Sequence, residues 1–225
     1  LGIGADDIEK FTKTMIMLGD TTNVSAQDAA TSLAKFMNIT GDSKEDVDRL
    51  GSSIVDLGNN FATDEASIIA MATRLASAGT IAGLSSTDIL ALAASMSSVG
   101  IEAEAGGTAM SQTLTNIGNR VASFKDGTEE ALDTIAQVTG MSAQEFADAW
   151  ENNPVKAVQA FIEGLDKANA SGENVNAILD DLGMKGIRQS NMLKSLALAS
   201  GNMADAIDTS SEAYKENTAL VNEAN

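Results

Sequence analysis

Short amphipathic stretches, each opened by a capping residue and most closed by a glycine, follow one another along this chain. In the clearest case Ser85 and Ser86 precede Asp88, so a serine hydroxyl can cap the free amides of a helix while the carboxylate lies near its positive end. Apolar residues then recur at helical spacing until Gly100, and glycine commonly ends helices in the left-handed conformation. A chain punctuated in this way is predicted to form many short helices.

The same signals recur elsewhere in the chain. Ser25 and Ser142 each begin a capping-box spacing, and Asn153 places a cap before Pro154, the residue favoured at the first helical position. Glycines at seven positions are predicted to end helices: Gly19, Gly41, Gly79, Gly100, Gly140, Gly183 and Gly201. No stretch alternates every second residue as a half-buried strand does.

We therefore predict an all-α fold, a bundle-like module of short to medium amphipathic helices joined by glycine-terminated turns. The predicted helices span residues 6–18, 26–38, 44–61, 64–78, 86–99, 108–124, 129–139, 143–152, 154–169, 174–182, 187–200 and 203–222.

The length is sufficient for one sizeable helical core, so we expect a single module over residues 1–225. A short polar break suggests two subdomains of that one body, 1–124 and 125–225. Because Leu1 is not an initiator methionine, the chain is expected to be a fragment of a longer protein. Apolar residues become sparse over 205–225, which is expected to continue as a free helix in the parent protein.

One region could instead form a long rod. Apolar residues over 47–78 fit a single heptad register in which Asp64 is the one polar core position, so a continuous coiled coil is the alternative there. The positions beside that seam mostly lack the charges of exposed coiled coils: Gly51, Ser53, Gly58, Asn60, Ser67 and Ala72. Small residues there favour close approach of a neighbouring helix, and hence a compact module.

Composition excludes several functions. The formal net charge is −18, from 14 basic and 32 acidic residues, which argues against intrinsic nucleic-acid binding and against docking on an anionic membrane. The chain has no histidine, the commonest general base and metal ligand, and no cysteine. No uncharged stretch reaches the roughly 20 apolar residues of a membrane-spanning helix.

Motifs that carry chemistry are missing. There is no P-loop and no nucleophile elbow, and the nearest calcium-loop pattern fails because Leu57 stands where the bidentate acid belongs. Glu102 with Glu104 and Asp180 with Asp181 are too close in sequence to face each other on a helix. We therefore predict no catalytic, cofactor-binding or metal-binding residues, and no cofactor.

Two groups of side chains invite a functional interpretation. Three basic residues stand out in an acidic chain: Lys185, Arg188 and Lys194. They are interpreted as decoration of an amphipathic helix, with contact to a partner as the alternative. An aromatic and aliphatic group is predicted to be a local core rather than a binding site: Phe146, Trp150, Phe161 and Ile162.

Five stretches together closely resemble the core region shared by tail tape-measure proteins of long-tailed phages and prophages. They cover nearly the whole chain and occur in the order typical of that family: TTNVSAQDAATSLAKFMNITG (Thr21–Gly41), DRLGSSIVDLGNNFATDEASIIAMATRLA (Asp48–Ala76), GLSSTDILALAASMSSVGIEAEAGGTAMSQTL (Gly83–Leu114), VTGMSAQEFADAWENNPVKAVQAFIEGL (Val138–Leu165) and ILDDLGMKGIRQSNMLKSLA (Ile178–Ala197).

The resemblance implies a structural role. Such a protein lies in the lumen of the virion tail tube after synthesis in the bacterial cytoplasm, fixes tail length and is released at DNA ejection. The implied partners are the tail tube protein, tail assembly chaperones, tail-tip proteins and further copies of itself. None of these steps breaks or forms a covalent bond, so the chain is expected not to be an enzyme.

Two other functions stay open at this point. Helices rich in small residues could rearrange into a membrane-active channel for genome ejection, which leakage of dye from liposomes would reveal. The chain could instead be a peptidoglycan-cleaving segment, although it lacks histidine. Loss of turbidity in a cell-wall suspension would reveal that activity.

Overall fold

The computed structural model describes residues 8–225, and 82% of it is helical. The described residues form thirteen α-helices and no strand, which confirms the all-α prediction. The helices are α1 (Ile8–Thr21), α2 (Ala26–Thr40), α3 (Val47–Asn60), α4 (Glu65–Ile81), α5 (Ser86–Ser98), α6 (Ala103–Lys125), α7 (Asp133–Thr139), α8 (Ala143–Asn152), α9 (Pro154–Ala170), α10 (Val175–Asp181), α11 (Ile187–Leu198), α12 (Ser200–Glu216) and α13 (Ala219–Glu223).

Side-chain caps open the helices where the sequence predicts them. The hydroxyl oxygens of Ser25, Ser85 and Ser142 each accept a hydrogen bond from the backbone amide three residues further on. At Ser142 the carboxylate of Glu145 accepts from the serine amide in return, which completes the capping box. Asn153 caps α9 in the same way, with proline at the first helical position.

The glycine predictions are right at four positions and wrong at three. Residues with φ between +71° and +81° follow helices at Gly41, Gly100, Gly140 and Gly183. The other three lie inside α1, α4 and α12: Gly19, Gly79 and Gly201. At Gly79 a Cβ atom would lie 2.7 Å from the side chain of Ile89, so this glycine allows α4 to approach α5 closely rather than ending the helix.

The predicted start of one helix and the predicted end of another differ from the structure. Helix α6 begins at Ala103 rather than at residue 108, so Gly106 and Gly107 lie within the helix and not before it. A Cβ at Gly107 would lie 2.7 Å from that of Arg74 on α4, so close packing of α6 on α4 stabilises a helical stretch of weak intrinsic propensity. The predicted helix over 6–18 starts outside the described residues, and its described part extends further, to Thr21.

Three other predicted helices are divided or begin differently. The predicted helices over 44–61 and 129–139 each open with a short 3-10 turn before α3 and α7. The predicted helix over 203–222 is two helices, α12 and α13, because Asn217 adopts the left-handed conformation with φ of 53°.

The rod over 47–78 does not form. Helix α3 ends at Asn60 and α4 begins at Glu65, so the chain turns between them. Asp64, the polar residue in the heptad core, is the amino-terminal cap of α4 and accepts from the amide of Ser67 at 2.9 Å. The alternative of one continuous coiled coil is therefore wrong, and its apolar positions belong to two helices of one core.

One hydrophobic core draws residues from the whole described chain. Helix α4 packs against α2, α5 and α6, and α9 packs against α7, α8 and α11. The core includes Phe36 and Leu92 before the polar break as well as Phe146 and Leu193 after it. The division into subdomains 1–124 and 125–225 stays a prediction.

The carboxyl-terminal stretch is packed rather than free. Helix α12 lies against α3, α5 and α9, and α13 lies against α3 and α1. Met203, Ala206, Ile207 and Leu220 are buried in these contacts. The expectation of a free helix over 205–225 is wrong, because few apolar residues suffice where the opposing helix offers small side chains.

Candidate interaction surfaces

The carboxylate pairs singled out in the sequence lie exposed near helix ends. Glu102 immediately precedes α6 and Glu104 lies in its first turn, while Asp180 and Asp181 end α10. Among residues 8–225 no group of three or more acidic side chains is arranged to hold a metal ion. The absence of catalytic, cofactor and metal residues stays a prediction.

The aromatic group is a local core, as predicted. Phe146, Phe161 and Ile162 are fully buried between α8 and α9, and only an edge of Trp150 reaches solvent. That edge lines a cleft of about 270 Å³ together with Ile81 at the end of α4. The prediction of a local core is confirmed for all four residues; that they form no binding site stays a prediction.

The carboxyl-terminal helices pack on three small residues of α3. We call these residues, Gly51, Ser52 and Ser53, the α3 seat. A Cβ atom at Gly51 would lie 2.8 Å from a methyl group of Leu220 in α13. The hydroxyl of Ser53 donates to the backbone carbonyl of Ser210 in α12 at 2.9 Å. The sequence signal of a close neighbouring helix is therefore confirmed, although it did not identify which helix.

Polar side chains fasten the end of α12 beside the α3 seat. The guanidinium of Arg49 donates to the carbonyls of Tyr214 and Lys215 at 3.0 and 3.3 Å, and it lies 5.8 Å from the centre of the Tyr214 ring. A cation is favourable at these carbonyls, which carry the negative end of the helix dipole. Asn217 donates to Asp48 of α3 at 2.8 Å.

Two carboxylates on α3 respond in opposite ways to the packed helices. Burial alone would raise the pKa of Asp48, but hydrogen bonds from Asn217 and Lys10 and the Lys10 charge hold that pKa below its ordinary value. The pKa of Asp56 is raised by burial and by the nearby charges of Glu216 and Glu212, against a hydrogen bond from Asn60. The contact between α3 and α12 thus combines a favourable and an unfavourable charge.

An open groove of about 650 Å³ runs along α6 beside α4. Apart from Arg74, its lining is uncharged and includes a polar series on α6: Thr108, Ser111, Gln112, Thr115, Asn116 and Asn119. Such side chains offer both donors and acceptors, so the groove is compatible with contact to a polar protein surface.

The three basic residues lie on or just before α11. Lys185 is 3.2 Å from a carboxylate oxygen of Asp180, and Lys194 donates to Asn176 at 3.1 Å. Arg188 is exposed. Two of the three cations are therefore held by α10, which supports the interpretation as surface decoration without testing a partner contact.

None of the helices in the described part of the chain is both long and apolar enough to cross a lipid bilayer.

Comparison with known proteins identifies one family. The model of a family described as phage-related minor tail protein matches residues 1–173, which include everything from the amino terminus to the turn after α9. No curated protein and no solved structure matches the chain.

Proposed function

The chain belongs to the family of phage-related minor tail proteins, a structural component of the virion tail that contacts other tail components, and on that premise we propose that it is a segment of a tail tape measure. The observation that carries the proposal is the family match over residues 1–173, joined to the five ordered stretches that resemble the tape-measure core. The proposed place is the lumen of the tail tube, with release at DNA ejection.

The proposed partners are the tail tube protein, the assembly chaperones and the tail-tip proteins. The polar groove along α6 is available to them. Contact and length are the properties that this role needs, and a chain without histidine or cysteine is adequate for both. We propose that the segment does no covalent chemistry.

Within that role we assign the segment to assembly rather than to measurement. A ruler gains length only from extended helix, at about 1.5 Å per residue. The longest helix in the described chain is α6, with 23 residues, and α3 and α4 are separate helices where one rod was conceivable. A shared core with many helix contacts supports a compact unit, whose contribution to tail length is small.

In-frame duplication of residues 1–225 in the encoding phage or prophage tests this assignment, with tail length read by electron microscopy. An extended helical segment of this size would lengthen tails by up to about 340 Å. We expect tails of nearly normal length, or aborted tails, because a compact unit adds little axial length. Lengthening near the helical limit would contradict the assignment and make the segment part of the ruler.

Deletion of the segment completes the test. We expect the phage to lose normal tail assembly, because the proposed role is one of contacts within the growing tail. A silent control is a phage that carries only Lys35→Gln, at an exposed position on α2 that does not line the groove. Normal tails after deletion would reject the structural role itself.

A further inference from the structure

The solvent side of α11 carries an unusual pair of aliphatic residues. Ile187 is 81% exposed and Leu198 is 72% exposed. They are separated by eleven residues, which returns almost to the same side of a helix with 3.6 residues per turn. Among the described helices α11 packs on α6 and α9 through its opposite side, where Met192 and Leu196 are buried.

The residues between those two complete a coiled-coil seam. Ile187, Asn191, Lys194 and Leu198 follow one another at intervals of four, three and four, the spacing at which one helix faces another in a coiled coil. A polar residue in such a seam sets the register and orientation of the pair. This face is therefore patterned for a helix; among the described helices α10 touches it at Lys194, which donates to Asn176, while Ile187 and Leu198 stay exposed.

The seam is complementary to itself when two copies run antiparallel. Ile187 of one copy then faces Leu198 of the other, and Lys194 faces Asn191, whose amide oxygen can accept from the ammonium. Lysine has three donors, so its bond to Asn176 within the chain leaves two free for this contact. A parallel pair would instead place the two Lys194 ammonium groups against each other.

Charge favours the same contact. The chain has a net charge of −18, yet it contains no acidic residue between Asp181 and Asp205. Two copies that meet through α11 therefore avoid placing carboxylates opposite one another. The antiparallel arrangement also brings the cationic start of α11, with Lys185 and Arg188, to the end of the second copy's α11, which carries no basic residue after Lys194.

We propose that the exposed face of α11 is a self-association surface that binds the α11 of a second copy in an antiparallel pair. Helix α11 has 12 residues and is about 18 Å long, so the contact is smaller than the roughly 800 Å² per partner of a standard interface. The dimer is accordingly weak and forms at high local concentration, as when several copies are gathered in one assembling tail.

Sedimentation of the purified 225-residue chain tests the contact. Between about 10 µM and about 1 mM we expect a reversible monomer–dimer equilibrium, and Ile187→Asp or Leu198→Asp should each raise the Kd at least about tenfold. The matched control is Ile81→Asp, since Ile81 is 85% exposed on α4, away from the seam. Circular dichroism checks that each variant keeps its helices.

A chain that stays monomeric over this range would overturn the proposal. So would a dimer that Ile187→Asp leaves as tight as before, because such a dimer uses another face. The measurement uses no phage tails, so its failure is distinguishable from failure of the assembly role.

Cross-linking tests the orientation. The chain has no cysteine, so Ile187→Cys and Leu198→Cys each introduce a single thiol. When the two variants are mixed with oxidised glutathione, we expect the 187–198 disulfide in preference to 187–187 and 198–198, with Ile81→Cys as the unreactive control. Preferential 187–187 linkage would overturn the antiparallel arrangement.

Discussion

The hydroxyl of Ser53 in α3 donates to the backbone carbonyl of Ser210 in α12 at 2.9 Å, across 157 residues of sequence. Ser210 in turn donates to the carbonyl of Thr87 in α5 at 2.9 Å. Both serine side chains are fully buried, so α3, α5 and α12 meet at a pair of small polar residues. The carboxyl-terminal helices, which lie beyond the family match, thereby belong to the same core as the matched region.

Substitution of Gly51 should weaken the packing of α13 on α3. We expect Gly51→Val to lower the free energy of unfolding by about 1–3 kcal/mol, because the added methyl groups overlap Leu220 and Thr14 in a packed contact. Gly58→Val on the same helix is the control, since the nearest atoms that its Cβ would meet all belong to the flexible side chain of Glu65. Urea denaturation that shows equal losses for both would contradict a tight α3 seat.

Asp48 should stabilise the fold at neutral pH. Its pKa is lowered in the folded state, so its contribution is present above the ordinary value of 3.8 and is lost as the pH falls through the lowered pKa. We expect Asp48→Asn to cost less than about 1 kcal/mol at pH 7, since the pair with Lys10 is partly exposed, and to cost nothing at about pH 2. Thermal unfolding at the two pH values measures the difference.

The exposed Asp126→Asn at the end of α6 serves as the control for that experiment. It should change the unfolding temperature little at either pH. A penalty for Asp48→Asn that is the same at both pH values would show that the carboxylate charge has no part in fastening α12.

Asp56 should have the opposite effect. Its raised pKa means that its unfavourable contribution is present at neutral pH and disappears as the pH falls through the folded pKa. We expect Asp56→Asn to raise the unfolding temperature at pH 7 by about 1–3 °C, and to bring no gain near pH 3. Differential scanning calorimetry at both pH values measures this.

A double variant with Glu212 of α12 tests whether charge repulsion contributes to the raised pKa of Asp56. Glu212→Gln should also stabilise at pH 7, and the double variant should gain less than the sum, because both changes remove the same repulsion. Strict additivity would show that Glu212 does not repel Asp56, which would leave burial and Glu216 as the causes of its raised pKa.

Removal of the Ser142 cap should weaken α8. We expect Ser142→Ala to cost about 0.5–2 kcal/mol of unfolding free energy, because the amide of Glu145 loses its acceptor. Ser123→Ala is the control, since Ser123 is exposed in the last turn of α6, away from any helix start, and its loss should be nearly neutral. Hydrogen exchange should show faster opening at the start of α8 only in the first variant.

Local chemistry made much of the secondary structure predictable. Ser85 and Ser142 bond to amides three residues away, and Gly41 and Gly140 take the left-handed conformation directly after a helix. Each of these signals depends on neighbours in sequence, so it can be recognised without the fold. The prediction that Gly79 ends a helix was wrong because the glycine is needed for a contact distant in sequence, the close approach of Ile89 from another helix.

The candidate surfaces were only partly predictable. The basic residues near α11 and the small residues of α3 are visible in the sequence, but their neighbours are not. Whether Gly51 faces solvent, a partner or α13 depends on a contact with Leu220 far along the chain. Exposure of Ile187 and Leu198 likewise follows from which side of α11 packs on α6 and α9.

By itself the sequence determined the helical class, most helix starts and ends, and the absence of histidine and cysteine chemistry. Caps and glycines act on residues close in sequence, and composition does not depend on the fold. Only the tertiary structure decided that the heptad over 47–78 is broken at Asp64 and that α12 and α13 close over α3. Apolar residues at helical spacing indicate that one face of a helix is buried, but they do not indicate which element covers that face. That choice depends on the shape and hydrogen bonding of residues brought together from distant parts of the chain.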